Sequence, residues 1–198
     1  MNQALQNRLN QITDKVLTQE FLTSQGLGNE LGFWIFDYAP EDELQVRQNI
    51  TLIEQSISKR NSSLRVINVN LLHAIKAYLD QRGFTEKAFQ MQIKKGDTDL
   101  SKALTGPLHV DKIGPFLLDF YQLDNYELIF LSGVGSVWPL LRAHNLLNKL
   151  HALLGHKPLV LFYPGSYSGQ DFSLFNKLTS NNYYRAFKLI PQEAKDNL

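Results

Sequence analysis

The sequence predicts a three-layer α/β/α sandwich on a mostly parallel sheet of about five strands. Three observations predict it. Short apolar runs rich in β-branched and aromatic residues alternate with segments of helical period, which implies parallel pairing, right-handed crossovers and helices on both faces. The runs "FWIFDYAP" and "PLVLFYP" are apolar enough for strands covered on both faces. Finally, 198 residues with 43% hydrophobic content suffice for one sizeable core, so a single domain over residues 1–198 is expected.

Leu5, Leu9, Ile12 and Val16 recur on one helical face, predicting an N-terminal amphipathic helix, about residues 2–24, packed on that core. Gly26, Gly28 and Gly32 punctuate the chain before the first strand, Phe33 to Pro40. From Glu41 the period becomes helical, with Val46, Ile50, Ile53 and Ile57 on one face. Glu41, Asp42 and Glu43 sit in its first turn, where the helix dipole favours anions.

"LRVINVN", Leu64 to Asn70, is the second strand, and Asn70 caps a helix that runs through Tyr78 and ends near Gly83. Helical segments follow over Glu86 to Lys95, closed by Gly96, then from Asp97 to Gly106 and Pro107, and around Phe116 to Leu123. Tyr126 to Ser132 is the third strand and Pro158 to Pro164 the fourth, with a helix over Val137 to Leu154 between them. Tyr183 to Ile190 completes the set as an edge strand, and the whole reads as Rossmann-like. Strand order does not follow from the pattern, and neither a repeat nor a linker interrupts it.

Twenty Lys and Arg against nineteen Asp and Glu leave a net charge of +1, too little to hold a polyanion by counterion release. The absence of cysteine excludes disulfides, thiolate zinc sites and cysteine nucleophiles, and agrees with a reducing compartment. The N-terminal residues lack the apolar run of a signal peptide, and no later run reaches membrane-spanning length. A soluble cytoplasmic protein is expected, with no membrane contact.

"IFLSGVGSVWPLLRAHNLLNKL", from Ile129, has the strand, glycine loop and helix layout of phosphate-binding folds. It lacks their chemistry. Gly133 and Gly135 are followed by no Lys-Ser/Thr pair to reach outer phosphates and magnesium. The third glycine of a dinucleotide fingerprint is replaced by Trp138, and Pro139 removes an amide donor. The loop is therefore read as a tight exit from a buried strand, with Ser136 as the helix cap.

His144 and His151 lie seven residues, about 10 Å, apart along that helix, too far to chelate one ion together. Asp37 stands at the carboxyl end of the first strand, where open α/β sheets place a ligand crevice. A phosphatase of that type adds an aspartate two residues on, but that position is Ala39, so Asp37 is given a turn-forming role. Neither a Gly-x-Ser-x-Gly elbow nor a His-Glu-x-x-His pair occurs. The stretch from Tyr163 to Phe175, with Gly165, reads as a connection or binding loop, and Tyr183, Tyr184 and Arg185 as packing or partner contacts.

"LSGVGSVWPLLRAHNLLNKL", "PLVLFYPGSYSGQDFSLF" and "NNYYRAFKLIP" together resemble the BrxB family of bacteriophage exclusion (BREX) systems, most specifically over Glu127 to Pro191. The resemblance implies membership of a multi-protein antiphage system that also holds an AAA+ ATPase, an adenine-specific DNA methyltransferase and the alkaline-phosphatase-like PglZ. It carries over no catalytic residue, metal or cofactor. It marks Ser132, Gly133, Gly135, Ser136, Arg142, His144, Tyr183, Tyr184 and Arg185 as a signature surface. The expected function is that of a non-enzymatic interaction subunit bound to other BREX proteins, PglZ foremost, which meets DNA only through the complex. The alternative is a nucleotide or phosphate sensor or enzyme, using a crevice at the strand ends that gathers Asp37, Ser132 to Ser136, Arg142 and the Gly165 loop.

Overall fold

The computed structural model describes residues 2–22, 32–180 and 186–192. Gly26, Gly28, the last two residues of the expected N-terminal helix, Tyr183, Tyr184 and Arg185 lie outside the described residues.

Helix α1 spans Gln3–Val16, capped by Asn2, whose side chain accepts the amide of Leu5; a short α2, Gln19–Leu22, follows. The N-terminal segment is thus two helices. Strand β1 (Phe33–Tyr38) leads through a turn of 3-10 helix into α3 (Glu43–Arg60). Strand β2 (Val66–Asn70) ends on the residue that caps α4 (Leu71–Gln81), where Asn70 Oδ1 accepts from the amides of Leu72 and His73 at 3.1 and 3.3 Å. Helix α5 (Thr85–Thr105) breaks at Gly96, where φ is 79°, so the two helical segments expected there are present. Helix α6 covers Val110–Phe120.

Strand β3 (Leu128–Ser132), a four-residue α7 (Val134–Val137) and α8 (Ala143–Leu154) come next. The expected helix Val137 to Leu154 is therefore divided. Residues preceding proline are driven out of the helical region by the ring, and Trp138 is extended (φ −70°, ψ 139°), with a cis bond to Pro139. Ser136 lies inside α7 and caps nothing; Gly133 holds that helix's N-cap position and Arg142 that of α8.

Strand β4 (Leu159–Tyr167) runs past the expected end at Pro164, then turns back into β5 (Phe172–Leu174) and β6 (Leu178–Ser180). The stretch read as a loop is an antiparallel meander, because Gly165 pairs with Leu174 and Tyr167 with Phe172. The fifth parallel strand, β7, is only Phe187–Lys188.

The parallel strands lie in the order β2-β3-β4-β1-β7, with β5 and β6 attached to the far end of β4. The pleat sorts alternate residues to opposite faces. Phe33 and Ile35 of β1 join Leu159 and Leu161 of β4 in one core, under α4, α6 and α8. Trp34 and Phe36 join Val160 and Phe162 in the other, under α1 and α3. Leu5, Leu9, Ile12 and Val16 are between 0% and 4% exposed, so α1's apolar stripe faces the sheet and its own core. Each such burial contributes about 1.5–3 kcal/mol, which makes α1 part of the sandwich rather than an appendage.

Candidate functional site

The glycine loop leaves β3 beside β2. Ser132 is 3% exposed and its hydroxyl donates to Asn68 Oδ1 at 2.9 Å, tying the two strand ends together. Gly133 then takes a left-handed conformation (φ 77°, ψ 21°), which L side chains disfavour. A Cβ there would also lie 3.0 Å from Asn70 Oδ1, the oxygen that caps α4. Two helices thus begin at one contact.

Gly135 faces the meander: a Cβ on it would sit 2.7 Å from the ring of Phe175 and 3.1 Å from Pro164. Gly165, with φ 151°, leaves no room for a side chain either, because its Cβ would meet the carbonyl oxygen of Ser173 at 2.1 Å. The amide of Phe175 closes this junction on the Pro164 carbonyl at 2.9 Å. Gly133, Gly135 and Gly165 are therefore positions where the chain packs on itself. Asn70 and Phe175 occupy the space that side chains at Gly133 and Gly135 would need, and α7, one turn long, has little dipole to offer an anion.

Asp37 does not form a turn. It lies inside β1, 1% exposed, because distant groups supply the donors its carboxylate needs. Arg8 of α1 donates from Nη2 to Oδ1 at 3.1 Å, while Oδ2 accepts from the amide of Tyr167 and from Lys188 Nζ, both at 3.1 Å. Arg8 also donates to the Asp37 carbonyl at 2.8 Å and to the Ile190 carbonyl at 2.7 Å, with its guanidinium 4.6 Å from the Phe36 ring centre. Burial pulls the Arg8 guanidinium down from its ordinary pKa, and Asp37 opposes this. The aspartate is the centre of a packed ionic cluster, not a residue of an open crevice.

A cleft of about 200 Å³ lies among the described residues between the α7–α8 connection and the meander. Val134, Trp138 and Leu141 line one wall and Leu174, Leu178 and Thr179 the other. Two aromatic rings, Tyr163 and Phe172, line it 4.8 Å apart, and behind them the buried ring of Tyr167 packs on Phe172 at 4.6 Å. Tyr163 is 2% exposed, burial pushes its phenol up, and its hydroxyl makes no hydrogen bond among the described residues. Trp138 and Leu178, 43% and 38% exposed, stand on the two sides.

Arg142 and His144, both marked in the sequence, line this cleft. The Arg142 guanidinium is exposed and makes no hydrogen bond or ion pair among the described residues. His144 is 8% exposed; burial first, and the positive charge of Arg142 second, hold its pKa below the ordinary value. The structure thus separates the signature. Ser132, Gly133 and Gly135 are packing positions, the Ser136 side chain is exposed, and Arg142 and His144 meet at the cleft. Sequence reasoning missed Trp138, Tyr163 and Leu178 as cleft residues. Trp138 in place of a glycine was the one local signal. Among the described residues, no group of three or more His, Asp or Glu could hold a metal ion, and no helix is long and apolar enough to cross a membrane.

Fold and site together define a small α/β sandwich protein with a self-packed strand-end loop and an apolar cleft beside it. The sequence profile of the family described as BREX protein BrxB matches residues 67–189. The chain is 39% identical over 187 residues to the BREX protein BrxB of Escherichia coli O9:H4 (strain HS), covering 94% of this chain and 92% of that protein. It is 36% identical over 190 residues to the BREX protein BrxB of Bacillus cereus (strain H3081.97), covering 94% and 97%. The chain belongs to the BrxB family of BREX phage-defence systems. No solved structure matches it.

Proposed function

We propose that the protein is a non-enzymatic adaptor of a BREX complex, binding other BREX proteins and PglZ most directly. The observation that carries this reading is the close packing of the glycine loop and of Asp37 at the strand ends. Where related layouts hold a nucleotide, Asn70 and Phe175 press on Gly133 and Gly135, and the carboxylate at the end of β1 is engaged by Arg8, Lys188 and the Tyr167 amide. A protein whose glycine loop and strand-end carboxylate are packed on neighbouring groups, and which keeps exposed apolar side chains beside them, suits binding to another protein.

The test is co-expression with the PglZ protein of a BREX system, followed by size-exclusion chromatography with mass detection at moderate and high salt. Co-elution at a fixed ratio is expected. Separate elution at both salts, or turnover of a nucleotide or phosphoester abolished by D37N, overturns the reading.

A further inference from the structure

The cleft beside Arg142 is too small for a cofactor. Small-molecule sites enclose about 300–1,000 Å³, against about 200 Å³ here. That space fits a single large side chain, the way interfaces seat one aromatic or aliphatic anchor in a desolvated pocket. The Tyr163–Phe172 floor and the Leu174 and Leu178 wall supply apolar contact.

Charge selects what accompanies the anchor. None of the side chains lining the cleft is acidic, so the Arg142 charge is not neutralised from within it. Its planar fork matches a carboxylate, and such charge-assisted contacts are the strong ones. Tyr163 adds a hydroxyl that has no protein partner among the described residues and that solvent reaches through the cleft. One cation on a chain of net charge +1 gives no electrostatic track for nucleic acid.

We propose that the cleft receives a peptide segment of a partner protein in which a large apolar side chain stands next to a carboxylate. The apolar group seats between Trp138 and Leu178 on the Tyr163–Phe172 floor, and the carboxylate pairs with Arg142. This rests on the adaptor reading and gives it an address. It assigns to Arg142, among the marked residues, the recognition contact.

The experiment tiles PglZ and the other proteins of that BREX system as overlapping synthetic peptides, screens them against the full chain, and titrates the binders by tryptophan emission. The bound peptides are expected to share an apolar residue beside Asp or Glu and to shift emission in the wild type but not in W138F. R142E and L178D should each weaken binding about tenfold, the scale of one charge-assisted or anchor contact. L44D, at a 68% exposed position on α3, should bind as wild type. Equal binding by R142E, binders without an acidic residue, the absence of any binder, or self-association abolished by R142E would each overturn the proposal.

Co-elution of the same variants with intact PglZ separates the two levels. If wild type and R142E co-elute with it equally, the cleft assignment fails while the adaptor reading stands. If wild type co-elutes with no BREX protein, both fall.

Discussion

Asp37 of β1 and Arg8 of α1 are joined twice: Nη2 reaches Oδ1 at 3.1 Å and Nη1 reaches the aspartate's own carbonyl at 2.8 Å. The carboxylate is 1% exposed and the Arg8 side chain 11%. Removing one partner of such a pair leaves the other charge buried without compensation. The D37A variant is expected to lose about 3–5 kcal/mol of stability in urea denaturation. A loss within about 1 kcal/mol, the scale of an exposed pair, would show that Arg8 and Lys188 find water instead.

Gly135 and the Phe175 ring offer a sharper test, because the fault expected of one substitution is removed by another. G135A drives a methyl into the ring and should destabilise by about 1–3 kcal/mol. In an F175A background the same change should be nearly neutral. A double-mutant cycle in urea measures this coupling, and simple additivity would refute the contact.

Acid should act on the fold in two windows. His144 has a folded-state pKa below its ordinary 6.5, so its contribution is fully present above that pH and is lost as pH falls through the lower folded value. Thermal melts of H144Q should lack the decline that the wild type shows below pH 6.5. The side-chain hydrogen bonds of Arg65 hold the Glu127 carboxyl at about 2 against an ordinary 4.5, so its contribution is present above pH 4.5 and fades towards pH 2. E127Q should flatten the acid limb over that lower window alone.

Common nucleotides, with and without magnesium, are expected to leave the melting temperature unchanged. Any ligand selective for the native state raises apparent stability, so a concentration-dependent rise would mean that Phe175 yields the space over Gly135. The alternative reading of the strand ends would then regain its footing.

The central strands and the cap at Asn70 were legible because their signals are local: a period of two, a period of 3.6, and one side chain bonding amides two and three residues ahead. The division of α7 from α8 was less so, since Pro139 is compatible both with a helix's first turn and with its end. Gly133 in the left-handed region starts the short helix early enough that the proline ends it. The meander was missed because Phe172–Leu174 and Leu178–Ser180 are three residues each, below the length at which alternation can be recognised. Asp37 was misread for another reason. Its partners lie 29 residues before it, and 130 and 151 residues after it, and no local pattern links groups so far apart. The cleft combines residues from Val134 to Thr179 in the same way, with Arg142 and His144 alone among its polar groups standing out in the sequence.

The same cluster orders events at the ribosome. When synthesis has passed β4, the sheet already has β2, β3, β4 and β1 to pair, but β1 presents an open edge, and Asp37 still lacks Lys188. Arg8 likewise waits for the carbonyl of Ile190. Unpaired strand edges are sticky, and this one stays uncovered until Phe187 and Lys188 leave the exit tunnel. A nascent chain stalled before them carries a nearly finished sheet whose β1 edge is open to pairing with another strand.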